Sequence, residues 1–334
     1  MTDGHSTETG VAAEYVADDP GYSKNLDGTV LRDLDDAADQ LLSLLQARIS
    51  AVVKEHPGEP GLMISGGIDS ILVGAALVNL GHSPLAVTVV TGSEDGLQDL
   101  RGQSVAEHLG LEHTVIRLDT ELLDEAASES IRRLGTWELW EVTSAIPVQA
   151  AFRVFAERHR SPVFTGAGAD ALFMGGATLD SDPDTPAGLA EYREKITKKV
   201  EANFTRNRLI PDYYERILES QSNDFIQVFQ TTEFWRFAMR LDSSLLWRAG
   251  PDGRIYDKFV LRHAALRLGV PPEHVWTIKA PLQVSSGVIG ALVDSARADL
   301  AAQPGQITYA DPHSEPVEHT VVRQFLRHLS DTAT

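Results

Sequence analysis

Residues 62–70 read Leu-Met-Ile-Ser-Gly-Gly-Ile-Asp-Ser, an apolar run that breaks at Ser65-Gly66-Gly67 and passes through Asp69-Ser70 into a helical pattern. The two glycines permit a tight turn and a close backbone approach, and Ser65 and Ser70 add hydroxyls beside the free N–H groups of a helix start. Such a turn suits an anion, and phosphate is the expected guest. A carboxylate in that place repels its own ligand unless a divalent cation lies between them, so Asp69 points to Mg²⁺ and to a metal-bound nucleotide. The Gly-Lys-Ser/Thr ending of a Walker loop is missing here. Residues 165–176, Thr-Gly-Ala-Gly-Ala-Asp-Ala-Leu-Phe-Met-Gly-Gly, repeat the theme with a glycine turn and an acid, Asp170, opening a helix. From neighbouring strand ends, Asp69 and Asp170 would face one metal-bound polyphosphate.

Turns of this kind need a strand before them and a helix after them. Helical spacing of Leu31, Leu34, Ala38, Leu41, Leu42, Leu45 and Ile49 predicts a leading helix over 31–53. After the breaker at 56–60, strands are expected at 62–64, 85–90, 114–118 and 162–165, with helices through Leu80 and Leu109 and over 121–134 and 144–159. Short apolar strands alternating with helices predict an α/β fold, a parallel sheet with helices on both faces, with ligands at the carboxyl ends of the strands. Residues 174–190, rich in Gly, Asp, Ser and Pro, are a candidate lid, although a plain connector has equal claim. From about 187 to 270 the pattern is mainly helical, and Phe225, Phe229, Phe234, Trp235 and Phe237 are expected in the core. The domain reading is a flexible acidic tail over 1–24 and one domain over 25–334, with a nucleotide core at about 58–180 and a mainly helical part at about 187–334.

The 334 residues, 43% apolar and 23% charged, suffice for one large domain or two. A formal charge of −19 argues against a nucleic-acid partner, because such binding draws on Lys and Arg against phosphates. Zero cysteine removes disulfides, thiolate metal sites and catalytic thiols. No apolar run approaches the roughly 18 residues of a membrane span, so no membrane partner and a cytoplasmic location are expected.

Ser65-Gly66-Gly67-Ile68-Asp69-Ser70 resembles the pyrophosphate loop of the N-type ATP pyrophosphatases, which cleave ATP between its α- and β-phosphates. With Thr165–Asp170 added, the chain closely resembles the synthetase domain of asparagine synthetase and β-lactam synthetase, an adenine nucleotide α-hydrolase-like fold. Residues 100–110 resemble the helix after the adenine-contacting strand of that family. Asp257-Lys258-Phe259-Val260-Leu261-Arg262, Pro272–Val275, Lys279 and Ser285-Ser286-Gly287 resemble its lysine-bearing stretch, and the matching span runs from about 30 to 295. The resemblance implies ATP contacts at Ile64, Ser65, Gly66, Gly67, Asp69 and Ser70, at Val90, and at Gly166, Gly168 and Asp170. It implies Mg²⁺ on Asp69 and Asp170, and catalytic lysines at Lys279, for the transition state, and Lys258, for phosphate.

These relatives activate a carboxylate as its AMP ester and release pyrophosphate, so the resemblance implies an AMP-forming amide ligase acting on a small-molecule carboxylate and an amine or ammonia. Ala167 stands where those relatives carry Glu or Tyr, and Ala171 replaces a family acid. Neither methyl can move a proton, which leaves Glu138, Glu141 and Glu233 as candidate bases. Lacking cysteine, the chain is expected to receive glutamine-derived ammonia from a glutaminase partner or to use an amine directly. Two other readings are adenylation-dependent sulfur insertion with a sulfur-carrier protein, and a nucleotide-binding subunit without catalysis. Oligomeric state stays open, a homo-oligomer included.

Overall fold

Five parallel strands form one sheet in the order β3-β2-β1-β4-β5: β1 Glu59–Met63, β2 Leu85–Thr91, β3 His113–Leu118, β4 Arg160–Thr165 and β5 Phe225–Gln227. The computed structural model describes residues 29–92, 100–205, 209–278 and 282–293. The expected tail 1–24, Lys279 and the chain beyond 293 lie outside the described residues.

Alternation along each strand sends neighbouring side chains to opposite faces. Leu62, Ile64, Phe164 and Ile226 join the core beneath α1 (Leu34–Glu55) and α2 (Ile68–Asn79). Val87, Val89, Val163 and Phe225 join the core on the other face, beneath helices described next. In chain order these are α3 (Arg101–His108), α4 (Thr120–Leu134), α5 (Leu139–Glu157), the short α6 (Ala169–Leu172), α7 (Pro186–Asn203), α8 (Tyr213–Leu218), α9 (Thr232–Arg240) and α10 (Phe259–Arg267). Of these, α4, α5 and α8 build the second core, so helices cover both faces as the alternating pattern predicts.

Caps fix several boundaries. Asp33 accepts from the Asp36 amide and starts α1 three residues later than its apolar spacing suggests; Leu31 instead pairs with Leu241. The fully buried Leu41, Leu45 and Ile49 each stabilise the packing of α1 on the core by about 1.5–3 kcal/mol. Helix α5 begins five residues before the predicted 144, because Glu138 caps it by accepting from the Glu141 amide. Pro147 therefore sits inside the helix rather than in its first turn. Strand β1 starts within the expected breaker, and its register with β4 slips between Glu59 and Gly61, where Pro60 has no N–H to give the ladder. Strand β5, read as helical from the sequence, is three residues long, too short for a two-residue period to register.

Residues 174–190 are tied down along their length. Glu191 accepts from the amides of Asp180 and Ser181, Lys195 donates to the Thr178 carbonyl, and Trp247 donates to the Ala177 carbonyl. These bonds hold the stretch against α7 and Trp247. The aromatic residues Phe225, Phe229, Phe234, Trp235 and Phe237 are buried, as expected of core.

Candidate functional site

Strands β1 and β4 are hydrogen-bonded neighbours, and the next strand in sequence after β1, β2, lies on its other side. Chain direction around the sheet reverses at this pair, the place where open α/β sheets leave a crevice at their carboxyl ends. Both glycine turns open there. A cavity of about 500 Å³ is lined by Ile64, Ser65, Gly67, Asp69, Ser70, Val90, Gly166, Ala167, Asp170 and Lys258, among others.

The first turn is held by its serines. Ser70 Oγ donates to the Gly67 carbonyl at 3.0 Å, the Ser65 amide donates to Ser70 Oγ at 3.2 Å, and the two hydroxyl oxygens lie 3.3 Å apart. Gly67 is the N-cap of α2 and, having no side chain, leaves the first N–H groups of this twelve-residue helix uncapped. Gly66 adopts φ +74°, and a Cβ on it would meet Arg101 Cβ at 2.6 Å. A Cβ on Gly166 would meet Asp69 Cβ at 2.7 Å and the Ser70 amide nitrogen at 2.8 Å, so the second turn packs directly on the first. Gly66 and Gly168 (φ +94°) shape the turns from behind and do not line the cavity. At Ile64 the amide donates to the Val87 carbonyl, and its carbonyl accepts from Thr88 Oγ1 at 2.6 Å.

Lys258 Nζ lies 2.5 Å from Asp69 Oδ2 and 2.5 Å from Asp170 Oδ1. It precedes α10 with φ 51° and ψ 36°, a left-handed conformation that costs a non-glycine residue about 1 kcal/mol and is sustained by the surrounding packing. Burial disfavours the Lys258 ammonium, but Asp69 and then Asp170 outweigh it and hold the amine above its ordinary range. Burial pushes the Asp69 carboxyl up to about 6, opposed by Lys258 and reinforced by the negative charge of Asp170.

Asp69 Oδ1 is buried with no hydrogen-bond partner among the described residues. An ionised oxygen in that position is costly without a counter-charge, and a hard divalent cation is a suitable partner. No group of three or more His, Cys, Asp or Glu that could hold a metal occurs among the described residues. A cation on Asp69 and Asp170 would therefore take its remaining ligands from phosphate and water, as Mg²⁺ commonly does. The residues fit that ion.

Several contributors were not legible as site residues. Lys199, on α7, donates to the Gly175 carbonyl at 2.9 Å and the Asp170 carbonyl at 3.3 Å; burial first, and Lys258 in addition, lower its amine, against the pull of Asp170. Nothing distinguishes it from other lysines of an amphipathic helix. Arg262, one turn beyond Lys258, donates to the Asp257 carbonyl at 2.8 Å, to the Thr277 carbonyl at 3.0 Å and to the Val275 carbonyl. Together with Arg101, which donates to the Ile278 carbonyl at 3.0 Å, it fastens the segment that leads toward Lys279. Thr277 and Ile278 line the cavity; Lys279 itself is outside the described residues. Ser286, also lining the cavity, has a buried hydroxyl without a partner among the described residues. Of the candidate bases, Glu138 caps α5, Glu141 lies in its first turn, and exposed Glu233 pairs with Arg236; none lines the cavity. No described helix is long and apolar enough to cross a membrane.

Comparison with known proteins gives a consistent picture. A family model described as asparagine synthase matches residues 41–224. The glutamine-hydrolysing asparagine synthetase of Gallus gallus is 31% identical over 146 residues, which are 42% of this chain and 26% of that protein. Glutamine-hydrolysing asparagine synthetase 3 of Arabidopsis thaliana is 28% identical over 253 residues, 71% of this chain and 41% of its own length. The match thus spans about a quarter of the vertebrate relative's length, 26%, and less than half of the plant one. The solved NMN synthetase of Francisella tularensis aligns with 75% of this chain and 99% of its own at 16% identity and a TM-score of 0.33, too low to carry an inference.

Proposed function

The chain belongs to the asparagine synthase family, and on that premise we propose that it is an ATP-dependent ligase that adenylates a carboxylate, releases pyrophosphate and transfers the acyl group to an amine or ammonia. The observation that carries this reading is the meeting of Asp69, Asp170 and Lys258 where two glycine turns open from adjacent strands into one cavity.

In this reading the uncapped N–H groups of α2, with Ser65 and Ser70, hold the phosphates. Asp69 and Asp170 would hold Mg²⁺, which when bound neutralises polyphosphate charge and makes pyrophosphate a better leaving group. A carboxylate oxygen of the substrate attacks the α-phosphorus, and the bond to the bridging oxygen of the β-phosphate breaks. Lys258, kept protonated by its two acids, offers a fixed positive charge as phosphate oxygens shift. The amine then attacks the acyl carbon, AMP departs, and the nitrogen loses a proton. Lys279 is proposed to stabilise the charge at this second centre. Ala167 provides no base, so the amine should enter uncharged, and turnover at low amine concentration should rise with pH through the amine's own titration.

The test is exchange of ³²P between pyrophosphate and ATP with Mg²⁺ over a panel of carboxylic acids, with AMP followed when amines, ammonium or glutamine are supplied. Acid-dependent exchange supports adenylation, and amine-dependent AMP release supports amide formation. Exchange that no acid stimulates, in protein that still binds ATP, overturns the reading. Glutamine alone should not support turnover unless a glutaminase partner is added. Lys279→Ala should leave folding intact and slow turnover by about 10²–10³-fold; normal turnover removes Lys279 from the mechanism.

A further inference from the structure

The cavity has two unlike ends. Its charged lining groups among the described residues are Asp69, Asp170, Asp257, Lys258 and Arg262. They are already matched to one another: Lys258 to Asp69 and Asp170, and Arg262 Nη2 to Asp257 Oδ1 at 3.1 Å. All lie at the phosphate end.

Toward β4 and β5 the lining changes to Ala167, Tyr213, Tyr214 and Phe225, with Ser144, Pro147 and Val148 from α5, a largely apolar and aromatic set that carries one serine hydroxyl. The rings of Tyr214 and Phe225 stack with centroids 4.4 Å apart and planes inclined by 23°, and Tyr213 meets Tyr214 edge-on at 5.0 Å. The Tyr213 hydroxyl is already committed, donating to the Glu141 carbonyl at 2.8 Å. No charged side chain lines this end among the described residues. Across β1, Val87 and Val89 of β2 line the cavity as well and belong to the same apolar cluster as Val148, Tyr213 and Phe225.

From this division we infer that the carboxylic acid taken by the site has an apolar, aromatic or branched aliphatic body and carries no ammonium beside its carboxylate. The inference rests on the adenylation reading for placing the carboxylate at the turns; the apolar body then lies along Tyr213, Tyr214 and Phe225. An α-ammonium brought to the same place would leave water for a wall without a free carboxylate, which is costly. Ala167 belongs to this surface: a methyl there continues the apolar wall up to the second glycine turn.

Matched probes separate this inference from the reading beneath it. Calorimetric binding to the full chain is measured for 3-phenylpropanoate against L-phenylalanine and for 4-methylpentanoate against L-leucine, with Mg²⁺ and a non-hydrolysable ATP analogue present. Each acid without the amino group should bind at least about ten-fold more tightly than its amino counterpart. Tyr214→Ala should weaken 3-phenylpropanoate by about ten-fold, whereas Tyr214→Phe, which keeps the ring, should leave it within about two-fold. Equal or tighter binding of the amino acids, no binding of either class, or indifference to Tyr214→Ala in folded protein overturns the inference. Selective binding of the apolar acids without any exchange of ³²P would instead overturn adenylation and leave the substrate class standing.

Discussion

The two glycine turns use the same local device and hold their aspartates in different surroundings. Asp69 follows Gly66-Gly67 at the end of the central strand β1; its side chain is 19% exposed and one oxygen is buried without a partner among the described residues. Asp170 follows Gly166 and Gly168 at the end of β4, and its side chain is 71% exposed. Both lie 2.5 Å from the same Lys258 ammonium. A shared motif therefore does not imply a shared energy: burial concentrates the electrostatic cost on Asp69, while solvent screens Asp170.

The widest separation should appear in catalysis. Asp69→Asn is expected to reduce Mg²⁺-dependent AMP formation by about 10²–10³-fold, and Asp170→Asn by only about ten-fold. Equal losses in steady-state assays would abolish the distinction drawn from burial. Lys258→Ala leaves the buried Asp69 charge without its partner and should lower stability by about 3 kcal/mol, read from the denaturation midpoint. Restoring stability in the Lys258→Ala, Asp69→Asn double variant, but not with Asp170→Asn, would show which acid dominates the pair.

A smaller effect concerns the contact between the turns. Gly166→Ala forces a methyl against Asp69 Cβ and the Ser70 amide and should cost about 1–3 kcal/mol, with weaker ATP binding by equilibrium titration. Unchanged stability and binding would mean that the turns can separate freely. The mildest probe is pH. Because burial raises Asp69 to about 6, Mg²⁺–ATP affinity should decline as pH falls through that value, and Asp69→Asn should remove the inflection. The stability term has the opposite sense. Between the ordinary 3.8 and about 6 the unfolded chain releases a proton that the native chain keeps, so native stability falls as pH rises across this window. Urea midpoints over pH 4–7 should show a shallower fall in Asp69→Asn, because that substitution removes the group that keeps its proton in the native state.

Much of this arrangement was legible in the sequence because it is local. Ser65–Ser70 and Thr165–Asp170 each place glycine, hydroxyl and acid within a few residues, and local sterics and helix-end chemistry then dictate the turn. Four of the five strands were legible from their apolar runs, and Lys258 stood out through family resemblance. Lys199 and Arg262 were less visible, since their role lies in carbonyls brought to them by other segments. The early start of α5 depended on a glutamate acting as a cap, a role that its residue type does not announce.

The sequence by itself determined the two glycine turns, the alternating α/β pattern and the hydroxyls and acids set within those turns, because each depends on contacts within a turn or two of chain. Tertiary structure decided that β1 and β4 are neighbours, since a parallel crossover leaves strand order open until the sheet is packed. It alone brought Lys258 across 189 positions to Asp69 and gave the second turn a screened acid and the first a buried one. It also assembled Tyr213, Tyr214, Phe225 and Val148 into one wall, because hydrophobic burial selects partners by shape and proximity in space, whatever their separation in sequence.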